Sequence, residues 1–216
     1  MYFPAHAQRS KPMNLTTVDR EQFHFGYSVG VNMMSFTTIP ARDSIMINTK
    51  QHPGININLI TNLRLGKYLD LRFLPGIQFS QRDINITDSI SLNKWDANIE
   101  SVYMDLPFLL KYRAKRVNNY APYLVVGINP RVDLTGGELE NWKPVHRLVK
   151  AFDIFPELGL GIDFYLDKVK VAAELKFSVG LLNIYNPPPD DPDYELFGRA
   201  MDRMLSRMII LAVHVE

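Results

Sequence analysis

From Phe23 onward the chain alternates apolar and polar residues with a period of two, segment after segment. That pattern restricts it to strands whose two faces meet different surroundings. In 152–164, Phe152, Ile154, Leu158, Leu160, Ile162 and Phe164 share one face, while Asp153, Glu157, Gly159, Gly161 and Asp163 share the other. The segments 23–33, 55–65, 69–80, 102–113, 124–133 and 168–181 repeat the theme, and 205–216 does so least clearly. Short links at 66–67, 115–119 and 167–168 alternate with long polar ones at 37–53, 81–98, 135–150 and 183–204. Tight turns on one side and large loops on the other are the layout of an outer-membrane barrel. The predicted fold is all-β: an antiparallel, up-and-down transmembrane β-barrel of about eight strands.

Composition agrees. The chain is 46% hydrophobic and 22% charged, and it holds no run near the roughly 18 to 20 apolar residues of a spanning helix. Lys+Arg 24 against Asp+Glu 23 gives no basic face for nucleic acid. With no cysteine there is neither a disulfide nor a thiolate metal site. His6, His24, His52, His146 and His214 are scattered without metal-ligand spacing, and no phosphate loop or GxSxG motif occurs, so no cofactor, metal or catalytic residue is expected. Ala5-His6-Ala7 has the form of a signal-peptidase site, a form that also arises by chance. Residues 1–22 are therefore expected to be a signal-peptide remnant and periplasmic lead-in, and 23–216 the barrel.

Alternation does not by itself say which face is inside, because a lipocalin-like barrel buries its apolar face and a membrane barrel turns it to lipid. Two features favour lipid. Gly26, Gly30, Gly76, Gly127, Gly159, Gly161 and Gly180 fall on the polar face, where a narrow lumen needs small residues. The same face carries both signs of charge. Asp70, Arg72, Asp105, Lys111, Arg131, Glu157, Glu174 and Lys176 are expected to form a lumen network, with Arg72 and Lys111 finding partners among Asp70, Asp105, Glu157 and Glu174. Phe25, Tyr112 and Phe164 near the short turns, and Phe79 and Phe152 near the long loops, suit interfacial girdles. Pro75, Pro107, Pro130 and Pro156 fit badly, each implying a bulge or a missing ladder bond.

The stretches 64–76 (RLGKYLDLRFLPG) and 106–123 (LPFLLKYRAKRVNNYAPY), with Phe23-His-Phe-Gly26 and Glu157-Leu-Gly-Leu-Gly-Ile-Asp163, resemble the PorT family of Bacteroidota outer-membrane barrels. The resemblance runs over nearly the whole chain from Phe23. It implies a small outer-membrane barrel needed by the type IX secretion system, alongside other secretion proteins, and brings no catalytic residues; the even strand count separately places both termini on the periplasmic side, and the apolar face is expected to meet outer-membrane lipid. The ending at Val215-Glu216 departs from the terminal aromatic frequent in barrels.

The function expected is a non-enzymatic accessory of protein secretion. A narrow barrel filled by side chains is too small to pass a folded protein. The rivals are an OmpX-like envelope or adhesion barrel, a lipid-modifying hydrolase, and last a soluble ligand-binding barrel. Before the final strand, Leu196, Phe197, Ala200, Met201, Met204 and Leu205 recur at helical spacing after a proline-rich stretch, with Asp193 as a candidate cap. They predict a short amphipathic helix whose stripe, with Leu196, Phe197, Met201 and Met204, leans on the barrel rim or docks a partner; the rival is that Met201–Leu205 begins the last strand early.

Overall fold

The computed structural model describes residues 14–15, 21–41, 45–88, 94–135, 149–186 and 200–216, so most of the lead-in, His6, His146, Asp193, Leu196 and Phe197 lie outside the described residues. The strands are β1 (Phe23–Pro40), β2 (Ile45–Gln51), β3 (Pro53–Arg64), β4 (Leu69–Phe73), β5 (Gly76–Asp88), β6 (Lys94–Asp105), β7 (Phe108–Arg113), β8 (Tyr120–Asp133), β9 (Phe152–Tyr165), β10 (Lys170–Val179) and β11 (Met201–Val215). β2 runs on into β3, β4 into β5, and β6 into β7, so these 11 segments make eight staves. The staves pair antiparallel in chain order, and β1 pairs with β11 to close the ring.

The prolines interrupt hydrogen bonding without moving the register. Thr61↔Phe73 and Asn58↔Gly76 flank Pro75 in one unbroken register, as Phe73↔Phe108 and Gly76↔Asp105 do across Pro107. The gaps are bridged by Leu59 N donating to the Pro75 carbonyl at 2.9 Å, and by Leu74 N and Leu106 N donating to the Pro107 and Pro130 carbonyls at 3.2 Å. Pro130 and Pro156 sit within the continuous β8–β9 ladder. The register slips by one beside Pro53, where Gln51↔Arg82 gives way to Ile55↔Phe79. A proline lacks only the N–H, so a ladder can lose one bond and keep its phase.

Along the wall, Leu59, Leu124, Val126, Leu158, Leu160 and Leu211 are all more than half exposed, while their neighbours in sequence point into the lumen. Phe25, Tyr112 and Phe164 are exposed toward the short-turn end, and Phe79 and Phe152 toward the other end. An apolar outer band bounded by aromatics is what lipid stabilises and water does not. Gly159 shows why the inner face is small: a Cβ there would meet Lys176 Cγ at 2.7 Å and Val125 Cγ2 at 2.8 Å.

Toward the long-loop end the polarity inverts. Ile84, Ile86 and Ile99 point inward and are almost fully buried, while Asp83, Asn85, Asp96 and Asn98 point outward. The outward groups pair across β5 and β6, Asn85 to Asp96 and Asn98 to Asp83, each at 2.6 Å. The barrel therefore extends past the apolar band as a water-facing cylinder with an apolar core. Two segments expected as long polar links, 37–53 and 81–98, are mostly strand: β1 continues to Pro40, β2 fills Ile45–Gln51, and β5 and β6 occupy Gly76–Asp88 and Lys94–Asp105. The expected helix is likewise corrected over its described part. Met201–Leu205 belongs to β11, because Met201↔Pro40 and Met204↔Thr38 continue the β1 ladder; Ala200, the described residue just before it, is helical.

Candidate functional site

The lumen holds the chemistry of this molecule, arranged in tiers. All eight residues of the expected network lie inside and are buried: Asp70, Arg72, Asp105, Lys111, Arg131, Glu157, Glu174 and Lys176. They do not form a single cluster.

The tier nearest the short turns is centred on Arg72. Its Nη1 donates to Glu174 Oε2 at 2.9 Å, its Nη2 to Glu216 Oε1 at 3.2 Å, and its Nε to Asn62 Oδ1 at 2.9 Å. Glu216 also accepts from Lys170 Nζ at 2.6 Å and from Asn62 Nδ2 at 2.8 Å. Tyr123 Oη donates to Glu174 at 2.8 Å, and His214 Nε2 lies 3.3 Å from that carboxylate without hydrogen-bond alignment. Lys111 departs from expectation. It stands opposite Asp70 in the ladder, yet its ammonium donates to both oxygens of Asp163, at 2.8 and 2.7 Å, across the ring of Tyr123. Asp70 faces Arg64 at 3.7 Å.

The second tier is centred on Arg131. Its Nη2 donates to Glu157 Oε1 at 2.9 Å, where Asn129 Nδ2 donates too, and Lys176 Nζ donates to Glu157 Oε2 at 3.0 Å. Arg131 Nε sits 2.9 Å from Asp105, an ion pair whose N–H direction misses the oxygen. The guanidinium lies over the Phe155 ring at 4.3 Å.

Above this stands Arg82, fully buried, which donates to Ser101 Oγ and to Tyr103 Oη at 3.2 Å and lies over the Phe36 ring at 4.4 Å. Capping the stack is an apolar plug that includes Phe36, Ile84, Ile86, Ile99, Met201 and Met204. Met201 and Met204, expected on a docking stripe, are thus inside the barrel.

Sequence reasoning left Asp163, Lys170, Glu216 and Arg82 out of the network. Asp163 and Lys170 lay on the polar face already. Glu216 follows from His214 by the period of two, but Met208, Ile210 and Ala212 make the inner face of β11 apolar and hide the alternation. Arg82 fell in a stretch read as a link, although Arg82, Ile84 and Ile86 alternate with Asp83 and Asn85.

Chemically, the Arg72 and Arg131 tiers bring opposite charges together in a narrow, buried space, where ion pairs across the lumen brace the wall. Among the described residues no group of three or more His, Cys, Asp or Glu side chains could hold a metal.

Comparison with known proteins places these features in a group. The sequence profile of the family described as outer membrane protein beta-barrel domain matches residues 6–186. The crystal structure of the outer membrane protein OprG from Pseudomonas aeruginosa is similar at a TM-score of 0.45 and 8% identity, covering 88% of this chain and 95% of that one. No curated protein matches this sequence.

Proposed function

This chain belongs to the outer membrane protein β-barrel domain family, and we propose that it is a non-catalytic accessory barrel of protein secretion, acting in the type IX system. The observation that carries this reading is the filled lumen. Arg72, Arg131 and Arg82, each 0% exposed, cross it at three heights beneath an apolar plug. Nothing the size of a protein passes through such a cylinder, so its working surfaces are its two ends and its lipid-facing wall. The resemblance of 64–76 and 106–123 to the PorT family supplies the secretion role. In this reading the short turns and the termini face the periplasm, where secretion components would meet them.

The test is a clean deletion in the source organism, with cargo measured in the medium by mass spectrometry. Cargo is expected to accumulate inside the cell and to be released again when the wild-type chain is restored. Normal export combined with altered envelope permeability would overturn the secretion role in favour of a general envelope barrel.

A further inference from the structure

The apolar band does not end the same way all round the barrel. On β5 and β6 its outward residues give way, toward the long loops, to Gln81 and Asp83 beyond Phe79 and to Glu100 and Asn98 beyond Val102. On β11 they give way to arginine. Leu211 and Ile209 are exposed on the wall, and the outward side of the strand then continues with Arg207, Leu205 and Arg203, both arginines exposed. Apolar side chains surround them: Arg207 pairs with Val179 and Arg203 with Ile39, each half exposed. Thr37, also exposed, stands opposite Leu205 and so between the two arginines. Among the described residues no hydrogen bond or ion pair holds either guanidinium. Asp202, the single acid of β11, is the residue bulged out of the β1 ladder, on the side of Arg203 away from Arg207.

An arginine facing lipid is costly at the bilayer midplane and nearly free at the margin, where its long side chain reaches the headgroups. Arg207 follows Ile209 on the outward face, so it stands where the apolar band of β11 ends. We propose that Arg203, Arg207 and Thr37 bind the phosphate of an anionic lipid in the leaflet at the long-loop end, with an acyl chain lying along Ile209, Met33 and Val179. Met33 pairs with Ile209, and all three are half exposed on the wall directly below the arginines. The guanidinium fork takes phosphate oxygens two at a time, and Thr37 adds a hydroxyl donor. Four residues of strand separate the two arginine backbones by about 13 Å, a gap that two long side chains can close over Leu205. A free anion or an acidic protein segment would use the cations and leave the apolar wall below them idle. The site rests on the apolar band facing lipid and is independent of the secretion role.

The experiment uses the full chain in a maltoside detergent free of phosphate. Dioctanoyl phosphatidic acid is titrated in, and bound lipid is read by native mass spectrometry. Dioctanoylglycerol, inorganic phosphate and an oligoglutamate peptide are titrated in parallel. One phosphatidic acid is expected to bind the wild type, and no binding would overturn the site. R203Q/R207Q should weaken it by roughly tenfold or more, since each basic residue held at an anionic surface contributes a factor of about five. T37D should weaken it as well, because it sets a carboxylate between the two arginines. K50Q/K94Q removes as much charge from exposed lysines elsewhere toward the long loops and should bind as wild type does. All three change exposed side chains, and their heat-modifiable gel shifts should match wild type. Unchanged affinity in R203Q/R207Q would overturn the site, and in T37D the place of Thr37 within it. An equal loss in K50Q/K94Q would overturn the site in favour of diffuse attraction to the whole rim. Inorganic phosphate or oligoglutamate binding as tightly as phosphatidic acid would overturn the lipid assignment, and dioctanoylglycerol doing so would overturn the role of the phosphate.

Discussion

At the scale of single residues, the lumen is a place where removing half of a pair is worse than removing the whole. Arg72 and Glu174 are both fully enclosed and joined at 2.9 Å. Glu174→Ala leaves the guanidinium with Glu216 as its remaining carboxylate partner and Tyr123 Oη without its acceptor, and breaking a buried pair costs up to about 3 to 5 kcal/mol. Replacing both, Arg72→Met with Glu174→Leu, removes the charges together and should recover most of that loss, although Glu216 then keeps only Lys170 as a charged partner. The two variants are compared by urea titration in detergent, following heat-modifiable mobility on gels. Equal destabilisation of the single and the double variant would show that lumen water screens these charges. The inward face of the eight expected network residues was legible in the sequence, because a period of two places it; that of Arg82 and Glu216 was not. Nor was every partner. Lys111 stands opposite Asp70 on the neighbouring strand but reaches Asp163, which lies two staves away. In a barrel this narrow, side chains meet over the lumen as well as along the ladder, and strand spacing alone carries no information about that.

At the scale of the strand, what decides the phase is the medium outside. Leu160 is 53% exposed and has Leu124 and Leu175 on either side, all three facing outward. Leu160→Arg should cost roughly 2 to 4 kcal/mol if this height is near the bilayer midplane, whereas Ser178→Ala, on the inner face, should be mild. Equal tolerance of the two, read from the folded fraction on gels, would contradict the lipid-facing wall. Higher on β5 the rule reverses. Ile86→Ala removes apolar volume from the plug and should cost about 2 to 5 kcal/mol, while the outward Asn85→Ala should stay near 0.5 kcal/mol, as surface changes usually do. A larger loss at Asn85 than at Ile86 would contradict the inversion. This inversion is also why 37–53 and 81–98 read as loops: their outward residues are polar, as loop residues are, and a search for apolar strand faces of membrane type passes over apolar residues that point inward. Helical spacing in 200–205 misled for a related reason. Met201 and Met204 are three apart, which suits one face of a helix, but the β-ladder with β1 supplies the hydrogen bonds, and the register shift at Ile39/Pro40 lets both side chains enter the plug.

At the scale of the molecule, the eight staves enclose a column that is blocked twice over, by the apolar plug toward the loops and by arginine tiers through the span. An ion entering from the loop end meets a dry cluster that includes Ile84, Ile86 and Met204. One entering from the turn end meets Arg72 locked between Glu174 and Glu216, then Arg131 locked to Glu157. Blocks in series act independently, so opening one leaves the other. The wild-type barrel in a planar lipid bilayer is therefore expected to carry no stepwise current. Ile84→Asn with Met204→Gln, which lets water into the plug, should also remain silent, because the arginines below are untouched. Current should appear only when that change is combined with the loss of the arginine tiers, for example Arg72→Ala with Glu174→Ala and Arg131→Ala with Glu157→Ala, provided the gel shift shows that the barrel still assembles. Discrete steps in the wild type would contradict the filled lumen and with it the conclusion that this barrel works from its ends and its wall. Steps in the plug variant alone would place the whole barrier in the apolar cluster and leave the ion pairs a bracing role only.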